Sequence, residues 1–221
     1  MADDLADVVT ARLARALRLR GEASLVCAGG TTPGDLYDRL SARDLPWERI
    51  HVVGSDERWL APNDPDTLDY LLHDRLLKDK ATDARFTSLL TGSTEPEDAE
   101  QEVSGRLASL PRPFDVTLLG MGADGHTASL FPGAKGLERA MDLADPALAR
   151  AVSPEKAAGA TRRMSLTLRA LLDSRLIVLM FRGPDKLAVY EDALGATNPS
   201  AAPVSAILRQ DRAPVLAAWA P

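Results

Sequence analysis

At 221 residues, 45% apolar and 26% charged, the chain has a globular composition and enough length to bury a substantial core, which excludes disordered and fibrous classes. The formal net charge is −6 and the isoelectric point is near 5.1; no run of Lys or Arg supplies the basic footprint of a nucleic-acid binder. No apolar run approaches the roughly 20 residues of a membrane span, and residues 1–7 are acidic where a secretory leader would be basic. Cys27 is the only cysteine, so neither an intrachain disulfide nor a cysteine-based zinc site can form. The expectation is a cytoplasmic protein with no nucleic-acid or membrane partner.

Leu5, Val8, Val9, Leu13, Ala16 and Leu17 recur at helical spacing, giving an amphipathic helix whose stripe should lie on a sheet. Residues 23–28 form a short apolar run ending at Gly29-Gly30, which suits a strand buried on both faces. Thr32 then reads as an N-cap, Pro33 as the first helical residue, and Asp35 as an acid three residues after the cap. Two glycines can simply make a tight turn, but with the threonine pair the bared N–H groups at a helix start suit a phosphate. Further strands are predicted at 50–54, 114–119, 176–181 and 215–219, and helices at 68–77, 97–110 and 185–194. The stretch 132–160, rich in Ala, Pro and Gly, reads as an excursion or a cap over the site rather than core. Strands alternating with helices predict an α/β fold, Rossmann-like, with a mainly parallel sheet and helices on both faces. No repeat or long linker divides residues 1–221, so a single domain is expected.

In an open α/β sheet, ligands bind beyond the carboxyl ends of the strands. The residues following the predicted strands are consistently polar there: Gly29-Gly30-Thr31-Thr32, Ser55-Asp56-Glu57-Arg58, Gly120 through His126, and Arg182-Gly183-Pro184-Asp185-Lys186. Residues 120–125 satisfy the G-x-G-x-x-G spacing of a dinucleotide loop. Asp124 and His126 interrupt it, however, and Phe131-Pro132-Gly133 soon ends any helix, so no nicotinamide or flavin site is expected. What remains is a glycine loop presenting an acid and an imidazole two residues apart, suited to proton transfer beside backbone N–H groups. His51 in a strand and His73 in a helix read as structural. The three histidines lack metal-ligand spacing, no G-x-S-x-G elbow is present, and Cys27 reads as a small core residue.

These segments together resemble the 6-phosphogluconolactonase family, within the wider group that includes glucosamine-6-phosphate deaminases and isomerases. The likeness rests on residues 29–33, the Asp56-Glu57-Arg58 triplet, the long run from Gly120 to Pro132, Arg163-Met164-Ser165-Leu166-Thr167, and Gly183-Pro184-Asp185-Lys186. Ser129-Leu130-Phe131-Pro132 is similar to the lactonase branch, where the deaminase branch supplies an Asn-Glu pair. The resemblance implies hydrolysis of 6-phospho-D-glucono-1,5-lactone in the oxidative pentose phosphate pathway, with no metal or organic cofactor; a monomer or weak homodimer is expected. It implies His126 as general base, Asp124 supporting it, and Asp56 holding sugar hydroxyls or helping to align His126. Gly29, Gly30, Thr31, Thr32, Arg58, Gly122, Gly125, Arg163 and Lys186 are then expected to bind substrate, the cations and the threonine loop taking the phosphate. Arg162 precedes Arg163, and either can reach it. Glu57 and Trp59 read as structural. The chain departs from the family pattern at Asp66-Thr67-Leu68, where Asp-Ser-Asn is common, and at Leu168-Arg169, where Leu-Pro is frequent. Two rivals are an aminosugar-phosphate isomerase or deaminase, disfavoured by the missing Asn-Glu pair, and a non-catalytic phosphosugar sensor, disfavoured by the retained histidine and the lack of a basic DNA-binding segment.

Overall fold

The structure, a computed structural model, describes residues 1–155 and 159–221. In chain order the elements are α1 (Ala2–Arg20), β1 (Ala23–Cys27), α2 (Gly34–Ser41), β2 (Ile50–Gly54), β3 (Asp56–Arg58), α3 (Leu68–Arg75), β4 (Arg85–Thr87), α4 (Pro96–Ala108), β5 (Val116–Gly120), α5 (Leu137–Met141), β6 (Ala149–Val152), β7 (Arg163–Leu166), α6 (Leu168–Leu172), β8 (Ile177–Arg182), α7 (Pro184–Gly195), α8 (Val204–Leu208) and β9 (Val215–Ala220). The main sheet runs β4-β2-β1-β5-β8-β9 with every pairing parallel. The chain moves outward from β1 to β4, then returns to place β5 on the other side of β1. Strand order therefore reverses between β1 and β5, and the loops leaving these two strands open a crevice at that switch point.

The strands lack hydrophobic alternation because both faces are covered. β1 sends Ala23, Leu25 and Cys27 into one core and Val26 into the other; β8 sends Val178 and Met180 into the first, and Ile177, Leu179 and Phe181 into the second. Leu5, Val9 and Leu13 of α1, Leu36 and Leu40 of α2 and Leu72 of α3 cover the first core. Val103 and Leu107 of α4, Leu171 of α6 and Ile207 of α8 cover the second. Ser24, the polar interruption in β1, is buried and accounted for: its backbone N–H donates to Asp115 Oδ2 (3.1 Å) and its Oγ accepts from the Asp115 N–H (3.2 Å). Arg20 and Arg175 balance the charge of that buried carboxylate.

A second, antiparallel sheet of order β3-β7-β6 was not expected. It corrects the reading of 132–160 as an excursion or cap. Leu137, Ala140, Leu148, Ala149 and Val152 are buried in the second core, and only residues 156–158 of the stretch lie outside the described ones. Small alanines pack there without producing a readable period, and Gly136, at φ +88°, permits an approach in which a Cβ would stand 2.3 Å from the Ala151 carbonyl oxygen. A second correction concerns α2, which starts at Gly34 with Pro33, not Thr32, at the N-cap and no side chain capping it. Pro33 takes helical angles (φ −82°, ψ −9°) and its carbonyl already accepts from the Tyr37 N–H at 3.0 Å. Within the first departure from the family pattern Thr67 caps α3 by accepting from the Tyr70 N–H (3.1 Å), and just before the second Thr167 caps α6 by accepting from the Ala170 N–H (3.2 Å).

Glu57 joins the two sheets' surroundings. Its side chain accepts from the N–H groups of Arg58 (2.7 Å), Leu68 (2.7 Å) and Asp69 (2.8 Å), serving the start of α3 from strand β3. Burial pushes its carboxyl up from 4.5 to about 8, against the opposing pull of the Leu68 and Asp69 N–H groups. With the folded-state value raised, the stability contribution is complete below about pH 4.5 and is lost as pH rises through about 8. Glu57→Ala, which leaves buried N–H groups unpaired, is expected to cost about 1–3 kcal/mol in urea denaturation. Between about pH 5 and 8 the wild type should lose stability and Glu57→Gln should not; equal slopes would show that this carboxyl does not titrate in that window.

Candidate active site

The loops after β1, β2 and β5 meet at the switch point around a cavity of about 540 Å³, within the range of small-molecule sites. Gly29, Gly30, Thr31, Thr32, Asp56, Arg58, Gly122, His126, Arg163 and Lys186 all line it. Asp124 and Gly125 are not among its lining residues. Asp124 stands behind His126, and Gly125, at φ +77°, turns toward Ala202 while its carbonyl accepts from the Val204 N–H at 2.9 Å. No helix opens from the 120–125 loop, so its geometry differs from a dinucleotide loop, as the sequence indicates. His51 lies in β2 and His73 in α3.

His126 Nδ1 is 2.6 Å from Asp124 Oδ1. A carboxylate can only accept, so Nδ1 carries the proton and the neutral ring keeps its lone pair on Nε2. Partial burial raises the Asp124 carboxyl, but the hydrogen bond and charge of His126 outweigh it, and the net shift is below the ordinary 3.8. The acid therefore stays ionised and supports an imidazolium when one forms. Gly122 is required by this packing: a Cβ there would lie 2.1 Å from His126 Nδ1 and 2.5 Å from Asp124 Oδ1. Beyond the imidazole the turn is held by the Thr127 hydroxyl, which donates to the Gly120 carbonyl (2.9 Å), and by Ala128 in the left-handed region at φ +48°. A non-glycine residue there carries strain that the surrounding bonds must offset.

Asp56 is fixed from two sides. Ser55 Oγ donates to Oδ1 (2.9 Å), Ser129 Oγ donates to Oδ2 (2.5 Å), and Arg163 Nη1 is 3.7 Å from Oδ2. Through Ser129, three residues beyond His126, the Asp56 carboxylate anchors the histidine's turn without touching the ring. Ser165 Oγ accepts from the Ser129 N–H (3.2 Å) and completes the anchor. The strand register puts Arg58 directly opposite Arg163, and Asp56 opposite Ser165, on one face of the small sheet. Like charges paired across strands destabilise. Burial, first, and the Arg58 charge both lower the Arg163 guanidinium, against the opposing pull of Asp56. Two guanidiniums held together beside a cavity form an arrangement that an anion relieves. Arg162 faces away and pairs with Glu95 at 2.7 Å, which settles which of the adjacent arginines lines the cavity. Arg58 Nη1 donates to the Asp66 carbonyl, fixing the cavity wall between β3 and α3.

Sequence reasoning missed Ser55, Ser129, Ser165 and Phe131 as parts of the site. Ser129 and Phe131 fall inside the long motif, yet only the fold shows that Ser129 meets a carboxylate 73 residues away. Fold and site thus describe an α/β protein whose doubly wound sheet carries, at its switch point, a cavity lined by two arginines, a lysine and a histidine paired with a carboxylate. The profile described as "Glucosamine-6-phosphate isomerases/6-phosphogluconolactonase" matches residues 1–216, and the chain belongs to that family. It is 41% identical to the 6-phosphogluconolactonase of Rhizobium meliloti over 222 residues, spanning 100% of this chain and 94% of that one. It is 39% identical to the Caulobacter vibrioides 6-phosphogluconolactonase over 219 residues, 99% and 92% of the two chains. A crystal structure of a 6-phosphogluconolactonase from Shewanella baltica superposes with a TM-score of 0.95 at 36% identity, covering 99% of this chain and 92% of the other.

Gly122→Ala is expected to keep the fold by circular dichroism and to break the Asp124–His126 bond. The imidazole 15N shifts of His126 should move from the Nδ1-protonated pattern toward a mixture of tautomers; an unaltered spectrum would contradict the packing described.

Proposed function

We propose that this protein hydrolyses 6-phospho-D-glucono-1,5-lactone to 6-phospho-D-gluconate, the second step of the oxidative pentose phosphate pathway. The observation that carries the reading is the Asp124–His126 pair opening onto the same cavity as the Arg58–Arg163 pair and the residues 29–32 loop. A lactone carbonyl is already electrophilic, so its hydrolysis needs a positioned water, a base and donors for the developing oxyanion. His126 Nε2 takes a proton from water as the hydroxide adds to C1. The tetrahedral intermediate then collapses with loss of the ring oxygen, and the imidazolium returns the proton to that oxygen as it becomes the C5 hydroxyl. Asp124 holds the tautomer and stabilises the imidazolium. Asp56, with hydroxyl donors on both oxygens, retains lone pairs to accept from sugar hydroxyls. Arg58, Arg163 and Lys186, with Gly30, Thr31 and Thr32, bind the 6-phosphate, while Gly29 and Gly122 let the backbone come close. Gly125 shapes the loop.

The test is the rate of proton release from freshly generated lactone, measured above spontaneous hydrolysis. Wild type should accelerate it, and a folded His126→Ala variant should fall by about 10²- to 10⁴-fold. No acceleration by wild type would sink the lactonase reading; full activity in the variant would remove His126 from its role. Lys186→Ala should raise KM by about 10- to 100-fold with kcat little changed, the signature of lost uniform binding. A fall confined to kcat would place Lys186 at the reacting carbon instead.

A further inference from the structure

The Asp124 bond holds His126 along one edge only. A single hydrogen bond leaves the imidazole free to tilt about the Nδ1–Oδ1 direction, and a tilt of that kind carries Nε2 away from any fixed water. The structure supplies a second restraint. The Phe131 ring is stacked on the imidazole, with centroids 4.0 Å apart and planes 28° from parallel. Phe131 is 6% exposed and lines the cavity, whereas its neighbour Leu130 is fully buried in the core. The guanidinium carbon of Arg163 lies 5.2 Å from the same Phe131 ring centroid. One aromatic ring thus contacts both the imidazole and a member of the cation pair.

We infer that Phe131 is a positioning residue for His126, fixing the plane of the imidazole and stabilising the imidazolium through its π face while that charge exists. The inference rests on His126 acting as the base in the reaction proposed above. A ring quadrupole attracts a cation more strongly in a desolvated setting than in water, and this stack is nearly closed to solvent on the Phe131 side. The charged groups around the imidazole are Asp124 at its Nδ1 edge, Arg163 across the Phe131 ring with Asp56 paired to it, and Lys186 in the cavity lining. A residue serving only to fill the core would be replaceable by any apolar side chain of similar bulk. A positioning ring is replaceable only by another ring.

The experiment compares Phe131→Leu with Phe131→Tyr in the proton-release assay and in NMR spectra of the imidazole C–H groups, which are few because the chain has three histidines. Phe131→Leu should lower kcat by about tenfold with KM within about twofold, and Phe131→Tyr should restore kcat to within about threefold of wild type. In wild type and Phe131→Tyr the His126 protons should be shifted upfield by the stacked ring, and in Phe131→Leu that shift should vanish. Unchanged kcat in Phe131→Leu, a rise in KM alone, equal losses in both variants, or no upfield shift in wild type would each overturn the inference. The NMR arm needs no substrate, so failure of the lactonase reading shows as an inactive wild type with the stack intact. Failure of this inference shows as an active wild type whose leucine variant keeps its kcat.

Discussion

A parallel sheet with apolar side chains on both faces leaves polar chemistry only its rim. Along β1 and β8, successive side chains enter alternate cores, so no strand interior is free to hold a substrate. The reversal of strand order between β1 and β5 then selects one place on that rim, because the loops leaving those strands diverge to opposite faces. Gly29 and Gly30 on one side, and Gly120 and Gly122 on the other, let backbone approach the gap. His126 stands at the end of the second loop.

The small antiparallel sheet completes the site. Its cost is local: two arginines face each other across β3 and β7, and Arg163 is almost fully buried. Asp56 offsets part of that charge, held in turn by Ser55 and Ser129. The Ser129 bond makes the small sheet and the histidine turn one mechanical unit, so the group that can hold a sugar and the group that can move a proton keep a fixed separation. Preorganisation of this kind matters because a misplacement of about 1 Å can cost a factor of about 10² in rate. Glu57, on the opposite side of the same short strand, ties that unit to the start of α3.

The long parallel strands and the helices over them were legible in the sequence because continuous apolar runs ending in Gly or polar loops have one economical reading. The loops that build the site were legible for the same reason, since each begins where one of those runs ends. β3 was not legible: it is three residues long, comes after β2 with a single residue between, and pairs with a strand far downstream. The 132–160 stretch misled because alanine packs into a core without marking a period. The Thr32 cap misled because proline itself can enter the helical region and start the turn. The supporting serines Ser129 and Ser165 lie within the motifs, but their role comes from partners that only the fold brings close.

The most direct test of the central claim, that one cavity holds phosphate and proton chemistry in fixed relation, is a crystal structure of the protein with 6-phosphogluconate bound. The phosphate is expected among Arg58, Arg163, Lys186 and the 29–32 loop, the sugar hydroxyls at Asp56, and the C1 carboxylate within hydrogen-bond reach of His126 Nε2. A product bound in reverse, with its phosphate at His126, or bound outside this cavity, would contradict it.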